Sequence, residues 1–275
     1  MEFIITGDTH GSFHRFHFLS PEQQKDDNLG VIILGDAGWN FFLNKMDERK
    51  KKEFHQNFSF YVYCVYGNHE ARPSDLVSSM TKMWDNNVEG MVWFEPSFPR
   101  IRYFMEYGEY TINGKHTLVI GGAYSVDKHY RLLKAGLAED QNDPHTTFWW
   151  NNEQLSDEEK TAAQKLAIFN QPWDLVLSHT CPYSWEPRDL FLNMVNQSSV
   201  DDSTEKWLEK LKESINWNVW LFGHFHDDRL IRPHVEMFST DMEELSNIFK
   251  RWEHWDIHNE LSEWWLNKDP NFYMI

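Results

Sequence analysis

Cysteine is almost missing from this chain: Cys64 and Cys181 are the only two in 275 residues. Two thiols cannot build a disulfide framework, so the fold must rest on its own core. Long apolar runs are also missing, and none reaches the roughly 18–20 residues a membrane span needs. The opening residues, MEFIITGDTHG, lack the basic segment and apolar stretch of a secretion signal, so the expected location is the cytoplasm. Positive charge is scarce: 26 Lys and Arg face 43 Asp and Glu, a net charge of −17. That argues against nucleic-acid binding by a basic surface, because phosphate backbones need Lys and Arg to neutralise them. No internal repeat, low-complexity tract or linker breaks the chain. What is abundant is aromatic side chain, 16% with 14 Trp, which implies rigid packing. The length suits one domain over residues 1–275.

Short apolar runs recur, each ending in a polar, Gly-containing cluster. EFIIT (2–6) runs into GDTHG, GVIIL (30–34) into GDAG, and FYVYCVY (60–66) into GNHE. DLVLS (174–178) runs into HTCP and NVWLF (218–222) into GHFH. Their shortness and their Val, Ile and aromatic content predict buried strands. Further strands are expected over 101–106, 109–112 and 117–122, with Asn113-Gly114 as a type I′ hairpin turn. Helices are expected over 45–58, over 156–169, where Ser156 and Glu159 form a capping box, and over 201–213. The alternation predicts an α/β fold with a layered core. The Trp-rich segment from 241 reads as a helical extension, 241–275, packed on the domain.

Each strand-end cluster has a bland reading by itself. Asp8 and Asp36 suit turns, Asn68 and His69 a helix cap, and His179 a satisfied core position. His224 and His226, at i and i+2 after a strand, point the same way. Together they mean more, because ligands collect at the carboxyl ends of strands in open α/β sheets. Asp8, His10, Asp36, Asn68, His179, His224 and His226 offer two carboxylates, an amide oxygen and four imidazoles. That set suits two divalent ions, with one carboxylate, Asp36, able to bridge them.

The order GDTHG, GDAG, GNHE, SHT, GHFH resembles the calcineurin-like metallophosphoesterases, and the intervening GGAYSVDKHYRL and FWWNNEQ segments resemble their small bacterial and phage-type members. The likeness spans residues 7 to 226. It implies a β-sandwich core flanked by helices. It implies that Asp8, His10, Asp36 and His226 hold one ion and that Asp36, Asn68, His179 and His224 hold the other. It places His69 as the catalytic histidine near the leaving oxygen. The implied activity is hydrolysis of phosphate mono- or diesters by a hydroxide bridging the two ions. Mn²⁺ is the expected cofactor, with Fe, Zn²⁺ or Ni²⁺ also compatible with mixed O/N ligands. The partner is a small phosphoester such as a nucleotide, held in a locally positive pocket.

The second motif, Gly35-Asp36-Ala37-Gly38-Trp39-Asn40, departs from the protein Ser/Thr phosphatases, which carry a second Asp and an Arg there. Protein phosphatase activity is therefore the weaker alternative, and the group orienting His69 is left open. Arg131, after the Gly121-Gly122 strand end, is the expected phosphate or substrate contact, because its fork matches phosphate oxygens. Tyr124, Ser125 and Asp127 share that loop, and Trp149 and Trp150 are candidates for a pocket wall or for packing. A scaffold that binds metal without turnover is the alternative from another class. A nuclease would need a basic groove that the sequence does not suggest.

Overall fold

The computed structural model describes residues 1–137, 149–191 and 196–253. The chain opens with β1 (Glu2–Thr6), a short α1 (Pro21–Gln24), β2 (Leu29–Ile33), α2 (Lys45–Asn57) and β3 (Tyr61–Cys64). Next come β4 (Thr81–Asp85), β5 (Gly90–Phe94) and β6 (Ile101–Phe104). The hairpin of β7 (Tyr107–Ile112) and β8 (Lys115–Ile120) turns at Asn113-Gly114, both residues with positive φ as a type I′ turn requires. Then follow α3 (Lys128–Leu137), α4 (Asp157–Phe169), β9 (Trp173–Ser178), α5 (Ser203–Ser214) and β10 (Trp217–Phe222). The described chain closes with β11 (Arg229–Arg232), β12 (Val235–Met237), β13 (Met242–Glu244) and α6 (Leu245–Glu253).

Two sheets form, ordered β13-β1-β2-β3-β6-β5-β4 and β11-β12-β10-β9-β8-β7. The inner strands of each run parallel, and antiparallel strands sit toward the edges. The alternation along β1 explains the layers. Phe3 and Ile5 face the second sheet, meeting Leu175, Leu177, Val219 and Leu221. Ile4 points the other way, into a layer with Phe54 of α2 and the aromatic cluster of Phe16, Phe58 and Phe60. On the far side Val176, Trp220 and Phe222 pack against Ala167 of α4 and Leu208 and Leu211 of α5. Strands covered on both faces must be apolar at every position, hence the unbroken runs in the sequence. Each fully buried aliphatic side chain contributes roughly 1.5–3 kcal/mol. The α/β sandwich flanked by helices agrees with expectation, and the Ser156–Glu159 capping box forms as read.

Two parts of the sequence reading need correction. Strands β4, β5 and β11–β13 lie outside the strands the sequence reading expects; in β4 the exposed Thr81 and Lys82 break the apolar pattern. Residues 242–244, expected to be helical, form β13 and pair antiparallel with β1. The backbone N–H groups of Ser239, Thr240 and Asp241 all donate to the Asp228 carboxylate, which turns the chain onto the open edge of β1. The helix begins only at Leu245 and buries Leu245, Ile248, Phe249 and Trp252 on one face. The rest of the predicted extension lies outside the described residues. Among those, no helix is long and apolar enough to cross a membrane.

Candidate metal centre

Parallel register brings the carboxyl ends of β1, β2 and β3 level on one sheet, and those of β9 and β10 level on the other. The turns that follow then meet across the sandwich edge. Backbone bonds tie them together: His10 N–H donates to Asp36 O at 2.8 Å and Gly223 N–H to His179 O at 2.9 Å. Four of the seven expected ligands, His10, Asp36, His224 and His226, have φ between 46° and 72°. Left-handed backbone at non-glycine residues costs energy and persists where the surroundings enforce it, typically at functional sites. Gly35 has φ +106°, and a Cβ there would collide with the His179 ring. That is why the motif needs glycine before Asp36.

The structure brings all seven together. Asp8 Oδ2 lies 3.3 Å from His226 Nε2 and 3.8 Å from His10 Nε2, and these two imidazole nitrogens are 2.9 Å apart. Asp36 Oδ1 lies 3.6 Å from His179 Nε2, which is 2.8 Å from Asn68 Oδ1. The His179 and His224 rings meet edge to face, 4.9 Å between centroids. Ligand atoms of Asp8, His10 and His226 lie within 4.8 Å of one another, as do those of Asp8, Asp36 and His179. His69 falls within the same distance of His10 and Asp36.

Whether these residues fit metal ions turns on how their buried oxygens are satisfied. Asp36 Oδ2 is buried without a hydrogen-bond partner among the described residues, and Asp8 Oδ2, equally buried, has only the His226 and His10 imidazoles at 3.3 and 3.8 Å. Leaving buried charged oxygens so poorly satisfied is costly, and a cation would satisfy both. The charges agree. Burial opposes ionisation of Asp8, but His179 and His226 outweigh it and lower its pKa. Burial opposes that of Asp36 too, and His69 and His179 hold it well below the usual carboxylate value. His179 is fully buried, yet Asp36 and Asp8 overcome the burial and lift its pKa to about 9. It donates from Nδ1 to Leu34 O at 2.8 Å, which aims Nε2 into the cluster. An ion binding there would displace the Nε2 proton. Burial and then cationic His179 push His224 down to about 3, so its ring is neutral and free to ligate. The donor set and its charge fit divalent ions.

A sequence profile for calcineurin-like phosphoesterases matches residues 1–228. The chain belongs to that family. It is a metal-dependent hydrolase of phosphoric esters. No curated protein sequence matches this phosphoesterase. Among solved structures it is similar to phosphopantetheinyl hydrolase (PptH) from Mycobacterium tuberculosis at 12% identity and a TM-score of 0.45, covering 86% of this chain and 88% of that one. It is also similar to the 5'-nucleotidase from Candida albicans SC5314 at 10% identity and a TM-score of 0.35, covering 96% of this chain and 56% of that one.

Arg131 is 7% exposed, and its guanidinium bonds Asp127 Oδ1 through Nε at 2.7 Å and His69 Nδ1 through Nη2. The group left open by the missing second Asp is thus occupied by an arginine. His69 Nε2 faces Asp36 Oδ2 at 3.8 Å. Burial lowers the His69 pKa, Asp36 raises it, Arg131 lowers it again, and the net value is below that of an ordinary histidine. Ser125 Oγ accepts from Asn68 Nδ2 at 2.9 Å and donates to Glu153 Oε2 at 2.6 Å, which fixes the Asn68 amide with its oxygen toward His179. Tyr124 and Asp127 line a cavity of about 630 Å³ shared with His69, His224 and His226. The Trp149 ring is covered by Lys128, Trp150 packs on Phe41, and Cys181 is buried with its thiol pKa pushed up by burial.

Sequence reasoning missed several supports. Arg15 Nη2 donates to Asp8 O at 2.7 Å and Nη1 to Thr6 Oγ1 at 2.8 Å, gripping the end of β1. Glu70 Oε1 accepts from Ala37 N–H at 3.0 Å and so joins the second and third motifs. Arg72 donates to Asn152 O and Gln154 O, which holds Glu153 under Ser125. Glu70 had a signal, its place in GNHE. Arg15, Arg72 and Glu153 act through contacts distant in sequence and had none.

Proposed function

We propose that this phosphoesterase uses two divalent ions to hydrolyse a small phosphate mono- or diester, a nucleotide or a comparable ester. Asp8, His10, Asp36 and His226 would hold one ion, and Asp36, Asn68, His179 and His224 the other. The two buried carboxylates carry this reading: Asp8 groups with His10 and His226, Asp36 groups with His10 and His69, and the two meet at His179. When bound, such ions supply positive charge to phosphate oxygens and acidify a water toward neutrality. Manganese is the ion expected from oxygen and imidazole donors with no thiolate among them.

His69 supplies the group facing the leaving oxygen. Arginine nitrogens only donate, so Nδ1 accepts from Arg131 and the ring proton sits on Nε2, toward the ligand cluster. From there Nε2–H donates to the oxygen on which charge develops as the ester bond breaks. Arg131 acts as a positioning residue for this ring, in place of the phosphate contact expected from its sequence position. The protein is incubated with Mn²⁺ and assayed on p-nitrophenyl phosphate and on its bis ester. Metal bound at about two ions per chain, with turnover of either ester that H69N slows at unchanged metal content, is the expected result. Bound metal with no turnover of any ester would refute the catalytic assignment.

A further inference from the structure

A residue lining the cavity beside the candidate metal ligands has a carboxylate oxygen without a hydrogen-bond partner among the described residues. Glu205, on α5, lines this cavity of about 630 Å³ and is 5% exposed. Its Oε1 accepts from Thr180 Oγ1 at 2.7 Å. Its Oε2 is buried with no hydrogen-bond partner among the described residues. Burial first, and then Glu186 and Asp202, push this carboxyl up to about 7. The other acids of the wall are engaged. Glu186 pairs with Arg188 at 3.4 Å, Asp202 with Lys206 at 2.7 Å, and Asp201 accepts from Gln154 and from Ser203 N–H. Between them the wall is apolar, with Leu190, Val200, and the rings of Phe191 and Phe225 stacked at 6.3 Å and 20°.

In its ionised form this oxygen is a buried acceptor without a partner, the complement of a buried donor, and an N–H placed there would favour that form. A leaving group carrying a carboxylate or a second phosphate would instead bring like charge against Asp201 and the ionised Glu205, Glu186 and Asp202 being paired with Arg188 and Lys206. We propose that this cavity receives the leaving group of the ester and selects an alcohol whose flat or aliphatic body carries a nitrogen donor, bound by Glu205 Oε2. This rests on the phosphoesterase reading of the adjoining ligands. The nitrogen has two possible sources, the exocyclic amine of a nucleobase and the ammonium of an amino alcohol, and both present N–H to a carboxylate.

The test uses the manganese-loaded protein and matched substrates. One arm compares tyramine O-phosphate, phenyl phosphate and a phenyl phosphate bearing a propanoate in the para position. The other compares adenosine 5′-monophosphate with purine riboside 5′-monophosphate, which differ only by the exocyclic amine at one ring position. The expected kcat/KM of the amine exceeds that of its matched partner by about 10-fold or more in at least one arm, and the arm identifies the source. In E205Q the ratio falls toward unity, whatever its absolute rate. Equal rates within both wild-type sets would overturn the proposal even if E205Q did not fold. So would an E205Q protein that keeps the amine preference. Turnover of none of the esters would instead overturn the phosphoesterase reading beneath it.

Discussion

Replacing Arg131 by methionine separates positioning of His69 from contact with phosphate. Methionine keeps most of the aliphatic stem and removes the guanidinium bonds to Asp127 and His69. The Asp127 side chain is 39% exposed, so losing that ion pair costs at most about 1 kcal/mol. The His69 bond is charge-assisted and buried, a class worth about 1.5–3 kcal/mol. If that energy holds the ring with Nε2 toward the ligands, its loss appears in the reaction step. The expected result is a kcat about 10- to 150-fold lower with KM unchanged. The assay is steady-state hydrolysis of p-nitrophenyl phosphate, with metal content and melting temperature as controls. A raised KM at intact kcat would refute positioning and return Arg131 to the phosphate. Unchanged kcat and KM would remove it from the reaction.

Three other outcomes are expected. Asp36 offers one oxygen toward His179 and the other toward His69, so D36N should lose both ions, seen by elemental analysis, whereas H69N keeps them; equal loss in both variants would overturn the separate role of His69. G35A forces a side chain into the His179 ring at a φ of +106°, and should lower stability by about 2 kcal/mol or more; an unchanged melting temperature would contradict the packing. The folded value of Glu205, about 7, lies above its ordinary 4.5, so the folded state keeps a proton that the unfolded chain releases. That contribution is full below pH 4.5 and is lost as pH rises through 7, amounting to roughly 3 kcal/mol above it. E205Q should therefore gain on wild type in urea midpoint between pH 5 and pH 8, and a difference constant across that range would refute the shift.

The parallel strands and the gathering of the seven candidate residues at their ends were legible because one physical cause marks both. A strand buried on two faces must be apolar throughout, as Val31–Ile33 and Leu175–Leu177 are, and the chain must then turn sharply. Glycine before a polar residue is what that turn allows, so Gly35-Asp36 and Gly223-His224 show in the sequence as breaks in the apolar run. Edge strands such as β4 have one solvated face and carried no such mark, and β13 depends on the Asp228 carboxylate gathering N–H groups from residues 239–241. Arg131 on His69, and Glu205 in the cavity, were out of reach for a related reason. Spacing along one element reports which face is apolar. It carries no record of which polar tip meets another 62 residues away, because only the packing of the two sheets and their helices sets that distance.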